Sequence, residues 1–103
     1  MSLTLVRRFW PILTGTHRYE KTLSTRGRGQ GVFIEAPILA YLIETRNGRI
    51  LYDVGCDYSK VNDPALQRQY YGNEAFPFGP PQMTQEQRLP NRLSRLGLTP
   101  EDV

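Results

Sequence analysis

The sequence contains a single cysteine, Cys56, and a single histidine, His17, among 103 residues. One cysteine cannot close a disulfide within the chain. One His and one Cys with no motif around them do not make a zinc site, which needs three or four ligands. Nor do they supply a Ser-His-Asp or Cys-His nucleophile system with its members in place. No apolar run approaches about 18 residues, so no transmembrane helix is expected. Arg7-Arg8 leads only into Phe9-Trp10-Pro11-Ile12-Leu13, which is too short for the apolar core of a signal peptide and has no small-residue cleavage site. A cytoplasmic location is therefore the default expectation. Repeats and low-complexity tracts are absent as well.

The residues that are present suit one small domain. Apolar residues make up 39% and aromatics 11%, distributed along the whole chain, which argues against disorder. The net charge of +3 is uneven. Residues 1–34 carry six basic side chains against Glu20 alone, and the remainder is slightly acidic. Such a front end could meet an anionic partner, or simply be a solvated surface.

Residues 3–10, LTLVRRFW, read as a short first strand ending near Pro11. Residues 14–31, TGTHRYEKTLSTRGRGQG, are polar and Gly-rich and read as a long loop. The strongest signal is PILAYLIETRNGRILYDVG. Two β-rich apolar runs flank Asn47-Gly48, a pair suited to a type I′ hairpin turn. Ile38–Ile43 is apolar almost throughout, which predicts a strand covered on both faces. Residues 56–83 read as an aromatic, Pro-rich irregular segment, with a short helical turn at Asp63-Pro64-Ala65-Leu66. FPFGPP within it fits neither a helix nor a central strand. Thr84-Gln85-Glu86-Gln87 is a capping box opening a helix over 84–97. Leu89, Leu93 and Leu96 form its apolar stripe and Arg88, Arg92 and Arg95 a basic one. Pro90 should bend it slightly, and Gly97 should end it.

Several residues could carry chemistry, each with an ordinary alternative. His17 reads as a loop histidine. Asp53 closes an apolar strand before a glycine turn, where α/β proteins place functional residues. It could orient a ligand indirectly or merely form the turn. Phe76, Phe78, Tyr70 and Tyr71 could line an apolar pocket or plug their loop onto the domain. RGRGQG (26–31) resembles the Arg-Gly segments of RNA-binding tails but has no interleaved aromatic. Cys56 has no neighbouring base to activate it. Finally, Thr99-Pro100-Glu101-Asp102 looks like the opening of another element, with Val103 its first apolar residue.

Taken together, YLIETRNGRILYDVGCDYSKVND followed by MTQEQRLPNRLSRLGLTPEDV resembles the front half of the metallo-β-lactamase superfamily, closest to the N-acyl-homoserine-lactone lactonases. The resemblance covers residues 36–103 well and the first 35 loosely. It implies an α/β fold, the N-terminal portion of an αββα sandwich: strand and long loop (1–35), β-hairpin (36–55), aromatic/Pro-rich loop (56–83) and outer helix (84–97). In the family a strand leading into His-x-His-x-Asp-His follows. The expectation is therefore that 1–103 is the N-terminal segment of a longer hydrolase and carries no metal ligand itself. Asp53 and Gly55 match the strand-end Asp-x-Gly that braces the metal-binding loop. Phe76 and Phe78 match the aromatic stretch that contacts the substrate's acyl chain. The loop at 14–31 matches a segment that often meets a second subunit, so a homodimer is among the implied partners. For the complete protein the family implies two divalent ions, usually zinc, and a metal-bound hydroxide that opens the lactone; the segment alone is expected to be inactive.

Three alternatives remain open. One is a hydrolase of the same fold acting on thioesters or other esters. Another is a small non-enzymatic domain binding an anionic partner through its basic front end, with steeply salt-dependent affinity if that partner is nucleic acid. The third is a structural subunit beside a chain that carries the metal residues.

Overall fold

The computed structural model describes residues 5–103. Three strands form one antiparallel sheet in the order β1 (Val6–Glu20), β2 (Phe33–Thr45), β3 (Gly48–Tyr52). Three short helices follow: α1 (Tyr58–Asn62), α2 (Pro64–Tyr71) and α3 (Leu89–Arg95). Single 3₁₀ turns lie at Lys21–Leu23, Gln85–Gln87 and Pro100–Asp102.

The first strand does not stop at Pro11. It runs on to Glu20, pairing with β2 from Val6↔Thr45 to Glu20↔Phe33. Of the expected strand over 3–10, residues 3 and 4 lie outside the described residues. Pro11 is tolerated because β1 is an edge strand, where an amide without hydrogen costs no ladder bond. TGTHRYE extends because Thr14, Thr16 and Tyr19 suit a pleated, half-buried ribbon. The connecting loop is accordingly shorter, 21–32. It is closed by Lys21 N–H to the Val32 carbonyl (2.7 Å) and by the Glu20 carboxylate, which accepts from the Thr22 hydroxyl (2.6 Å) and the Gly31 amide (3.2 Å).

The β2–β3 turn also differs from expectation. The two residues between Thr45 and Gly48, which pair directly, are Arg46 and Asn47. Neither takes a positive φ; Gly48 does, at 139°. The I′ reading misplaced the turn by one residue. Thr45 holds it instead, its Oγ1 accepting from Asn47 N–H (3.1 Å) and donating to the Gly48 carbonyl (2.8 Å).

Register assigns the faces. Trp10, Leu42 and Leu51 share one, with Ile12 and Ala40 beside them. Leu93 of α3 packs onto this side, and Ala40 and Leu42 are 0% exposed. Leu89 and Leu98 flank the contact. The opposite face carries Phe9, Ile43 and Ile50, then Pro11, Tyr41 and Tyr52. Its rings form a row, Phe9 stacked on Tyr41 at 5.4 Å and Tyr41 tilted against Tyr52 at 6.3 Å between centroids. Yet Phe9 is 56% exposed and Tyr52 68%. Only one of the two coverings expected for Ile38–Ile43 is present among the described residues. The thinnest dimension, 18 Å, holds one sheet and one helical layer.

Residues 56–83 are more helical than expected. Asp57 Oδ1 accepts from Ser59 N–H (2.9 Å) and starts α1. Asp63 Oδ1 accepts from Ala65 and Leu66 N–H (2.9 and 3.2 Å), with Pro64 in the first turn of α2. The helix expected over 84–97 is instead a 3₁₀ turn and then α3, separated at Arg88, whose ψ is 135°. Pro90 lies in the first turn of α3, where its missing N–H is harmless, so it starts the helix and does not bend it. The capping box closes on the 3₁₀ turn through Thr84 N–H to Gln87 Oε1 (2.9 Å). Gly97 (φ 76°) ends α3 in a Schellman motif, Leu98 N–H to Leu93 O and Gly97 N–H to Ser94 O, both 2.9 Å.

The basic stripe of α3 splits between three neighbours. Arg88 lies over the Tyr58 ring (5.5 Å), Arg95 reaches Glu86 (4.0 Å), and Arg92 Nε donates to the Leu13 carbonyl (3.0 Å). That last bond, with Pro11, blunts the open edge of β1.

Candidate functional site: the Asp53 turn and the aromatic loop

The chain leaves β3 through a strained turn. Asp53 has φ 63°, in the left-handed region that Asp tolerates better than most residues. Its Oδ1 accepts from both Val54 N–H (2.7 Å) and Gly55 N–H (3.1 Å). The carboxylate thus replaces the ladder partners that the strand has just lost. Gly55 follows at φ 69°, and any Cβ there would come within 2.0 Å of Thr14 Oγ1. Glycine is therefore required twice, by conformation and by contact. The turn comes back across the sheet onto the β1 bulge at Leu13–Gly15.

Cys56 and Tyr71 come next. Tyr71 of α2 and Cys56 of the turn line one cleft. Burial raises the thiol pKa above its ordinary value; the nearby Tyr71 hydroxyl opposes this and the Asp53 charge adds to it. Burial likewise raises that of Tyr71, reinforced by Cys56. Cys56 is thus held as a neutral thiol at physiological pH, the opposite of an activated nucleophile. Both residues line a cleft of about 580 Å³ with Gly55, Met83, Arg88 and Leu89.

Aromatic contacts continue from Tyr71. Phe76 meets its ring edge-on at 4.8 Å and that of His17 at 5.8 Å; His17 lies 5.2 Å from Tyr19. His17 is thus a strand residue in an aromatic row, not a loop histidine, and its Nε2 is buried without a hydrogen-bond partner. Phe78 packs elsewhere, edge-on to Phe33 at 5.5 Å, with Arg18 over the Phe33 ring at 4.3 Å. His17 pairs with Ala36 and Glu20 with Phe33, so Phe76 and Phe78 contact opposite faces of the β1–β2 ribbon. Beyond Phe78 the chain runs to Gln82, which pairs with Thr16 along the edge of β1 (2.7 and 2.8 Å). Tyr70 faces Lys60 instead (4.3 Å).

The structure therefore brings Asp53, Gly55, Cys56, Tyr71 and Phe76 into one connected region and leaves Phe78 outside it. Sequence reasoning missed Thr14, although Gly15 inside a strand-like pattern is a bulge signal. Among the described residues no three of His, Cys, Asp or Glu converge to hold a metal ion. The residues present do not fit a metal centre.

No protein-family model matches the chain. Curated relatives do. An N-acyl homoserine lactonase of a Bacillus species is 40% identical over 75 residues, and one of Bacillus thuringiensis subsp. kurstaki is 39% identical over the same length. Each match takes in 71% of this chain and 28% of the relative. The chain thus spans under a third of the curated relatives it matches. Among solved structures, an N-acyl homoserine lactone hydrolase with N-hexanoyl-L-homoserine at its catalytic metal centre superposes with a TM-score of 0.78 at 30% identity. A variant of Bacillus thuringiensis AiiA with N-decanoyl-L-homoserine in its active site gives 0.76 at 30%. Both alignments cover 97% of this chain and 39% of the other. In sequence and in fold, the chain corresponds to the N-terminal part of the N-acyl homoserine lactonases, which have the metallo-β-lactamase fold.

Proposed function

We propose that these residues form the front part of a metal-dependent hydrolase that opens the lactone ring of N-acyl homoserine lactones, a quorum-quenching activity. The observation that carries this reading is the superposition of 97% of the chain on a hydrolase holding its ring-opened product at a metal centre. The metal proposed for the whole protein is a pair of divalent ions, zinc by family resemblance. Residues 5–103 offer no site for it, so no catalytic step is assigned to them. Their share is structural. Asp53, stiffened by its own two backbone bonds, would brace the metal-binding loop, with Gly55 letting the turn pass. Phe76, packed with Tyr71 and His17, would meet the acyl tail, whereas Phe78 lies on the other face of the β1–β2 ribbon, away from it. A cytoplasmic location is part of this proposal.

The test begins with the intact mass under denaturing conditions. A chain well above 11.9 kDa, or a second chain beside it, is expected, together with chelator-sensitive hydrolysis of an acyl homoserine lactone. A heavier protein that binds metal yet leaves acyl lactones intact would overturn the substrate assignment. Lactone hydrolysis by purified residues 1–103 alone would overturn the division of labour.

A further inference from the structure

We propose that Thr14 is the positioning residue of the Asp53 turn. Its value for catalysis rests on the function proposed above; its effect on the turn does not. Thr14 is the one buried polar residue of the described core, 0% exposed. It sits in the β1 bulge, between Leu13↔Leu39 and Gly15↔Ile38, with no cross-strand partner of its own. Its hydroxyl donates to the Ile38 carbonyl at 2.9 Å, across the β1 bulge. That bond fixes the side chain, so Oγ1 and Cβ present a rigid surface. Gly55 rests on that surface, with a hypothetical Cβ 2.0 Å from Oγ1 and 2.7 Å from the Thr14 Cβ.

The consequence is geometric. Asp53 Oδ1 bonds the amide of Gly55, so the placement of Gly55 is the placement of the carboxylate. Thr14 thereby acts on Asp53 through one glycine. A hydroxyl is needed and not merely bulk, because a valine there would take from the Ile38 carbonyl the side-chain donor it now has.

Cys56, next to Gly55 and the only cysteine in these residues, reports on the turn. The experiment follows its labelling by a disulfide reagent under native conditions, with mass mapping to Cys56. Thr14→Val is expected to speed labelling about tenfold, the effect of losing one part-buried hydrogen bond. Thr14→Ser, which keeps the donor, is expected to label at nearly the original rate. The urea midpoint of each variant separates local opening from global unfolding. Gly55→Ala presses on the same contact from the other side and should also speed labelling, so it carries the test if Thr14→Val does not fold. An unchanged rate in Thr14→Val, or in Gly55→Ala where it stands in, would overturn the proposal. So would a serine variant as fast as the valine. None of these outcomes depends on whether an acyl lactone is hydrolysed.

Discussion

The two faces of the sheet are both apolar, but only one is covered. Beneath α3 lie Ile12, Ala40 and Leu42, sealed by Leu93 at 1% exposure. On the other side Phe9, Tyr41 and Tyr52 form a row of touching rings, with Phe9 and Tyr52 exposed. A hydrophobic side chain stabilises a fold by the area it removes from water, so like residues on the two faces are not worth the same. The second face has a composition suited to burial and a position that does not provide it. Apolar patches of this kind mark surfaces that pack against something else. The contrast also separates what folds this segment from what it offers: the covered face holds it together, and the bare face is spare.

The sharpest way to break that contrast is a pair of substitutions. Leu93→Ala should cost about 3 kcal/mol, within the range for a buried leucine that leaves a cavity. Tyr52→Ser, at a residue 68% exposed, should change stability by about 0.5 kcal/mol or less. Urea midpoints at matched m-values read both. Equal losses would mean that the bare face is covered in solution. A fluorescent dye that binds exposed apolar surface should respond to the original chain and respond less to Tyr52→Ser.

Next in size is the Asp53 turn, which rests on Thr14 of the β1 bulge. Asparagine tolerates the left-handed φ and keeps an oxygen that can accept from Val54 and Gly55. Asp53→Asn should therefore cost well under 1 kcal/mol, and Asp53→Ala about 1–2 kcal/mol, from the lost acceptor plus strain at φ 63°. If the two substitutions destabilise equally, charge and not acceptor geometry holds the turn. In a complete lactonase both should impair activity, which separates bracing from folding.

How far the sequence shows this in advance depends on range. The β2–β3 hairpin is legible from a local apolar run and a turn dipeptide, though the turn falls one residue early because Gly48, and not Asn47, takes the positive φ. Asp53-x-Gly55 is legible for the same local reason. The second half of β1 is not: TGTHRYE looks like a loop until β2 is laid beside it, since its residues are half-buried on a two-stranded ribbon. Thr14 is least legible of all, because its bond reaches 24 residues along the chain and its contact with Gly55 further still. Nothing in the string announces that a bulge and a turn will meet. The row from Tyr71 to His17 likewise exists only after α2 and the loop have folded back onto β1.

The smallest expected effect is at the end of the described chain, where neither face is involved. The Asp102 carboxylate accepts from Thr99 N–H (2.8 Å) and Thr99 Oγ1 (3.1 Å), closing the last 3₁₀ turn. These bonds favour the charged form, the backbone one most, so its pKa lies below the ordinary aspartate value. A folded pKa below the unfolded one contributes stability above the unfolded value, and that contribution is lost as pH falls through the folded one. Cys56 and Tyr71 have the opposite sign. Their raised values favour the neutral forms, and stability is lost as pH climbs through the alkaline range. The chemical shift of the Thr99 amide proton should therefore follow the Asp102 ionisation with a midpoint below the usual Asp range, and Asp102→Asn should abolish that pH dependence. A midpoint at the ordinary aspartate value would mean the terminal turn is open in solution. Because Asp102 is fully exposed, global stability should barely move with it, in contrast to Leu93 beneath the sheet.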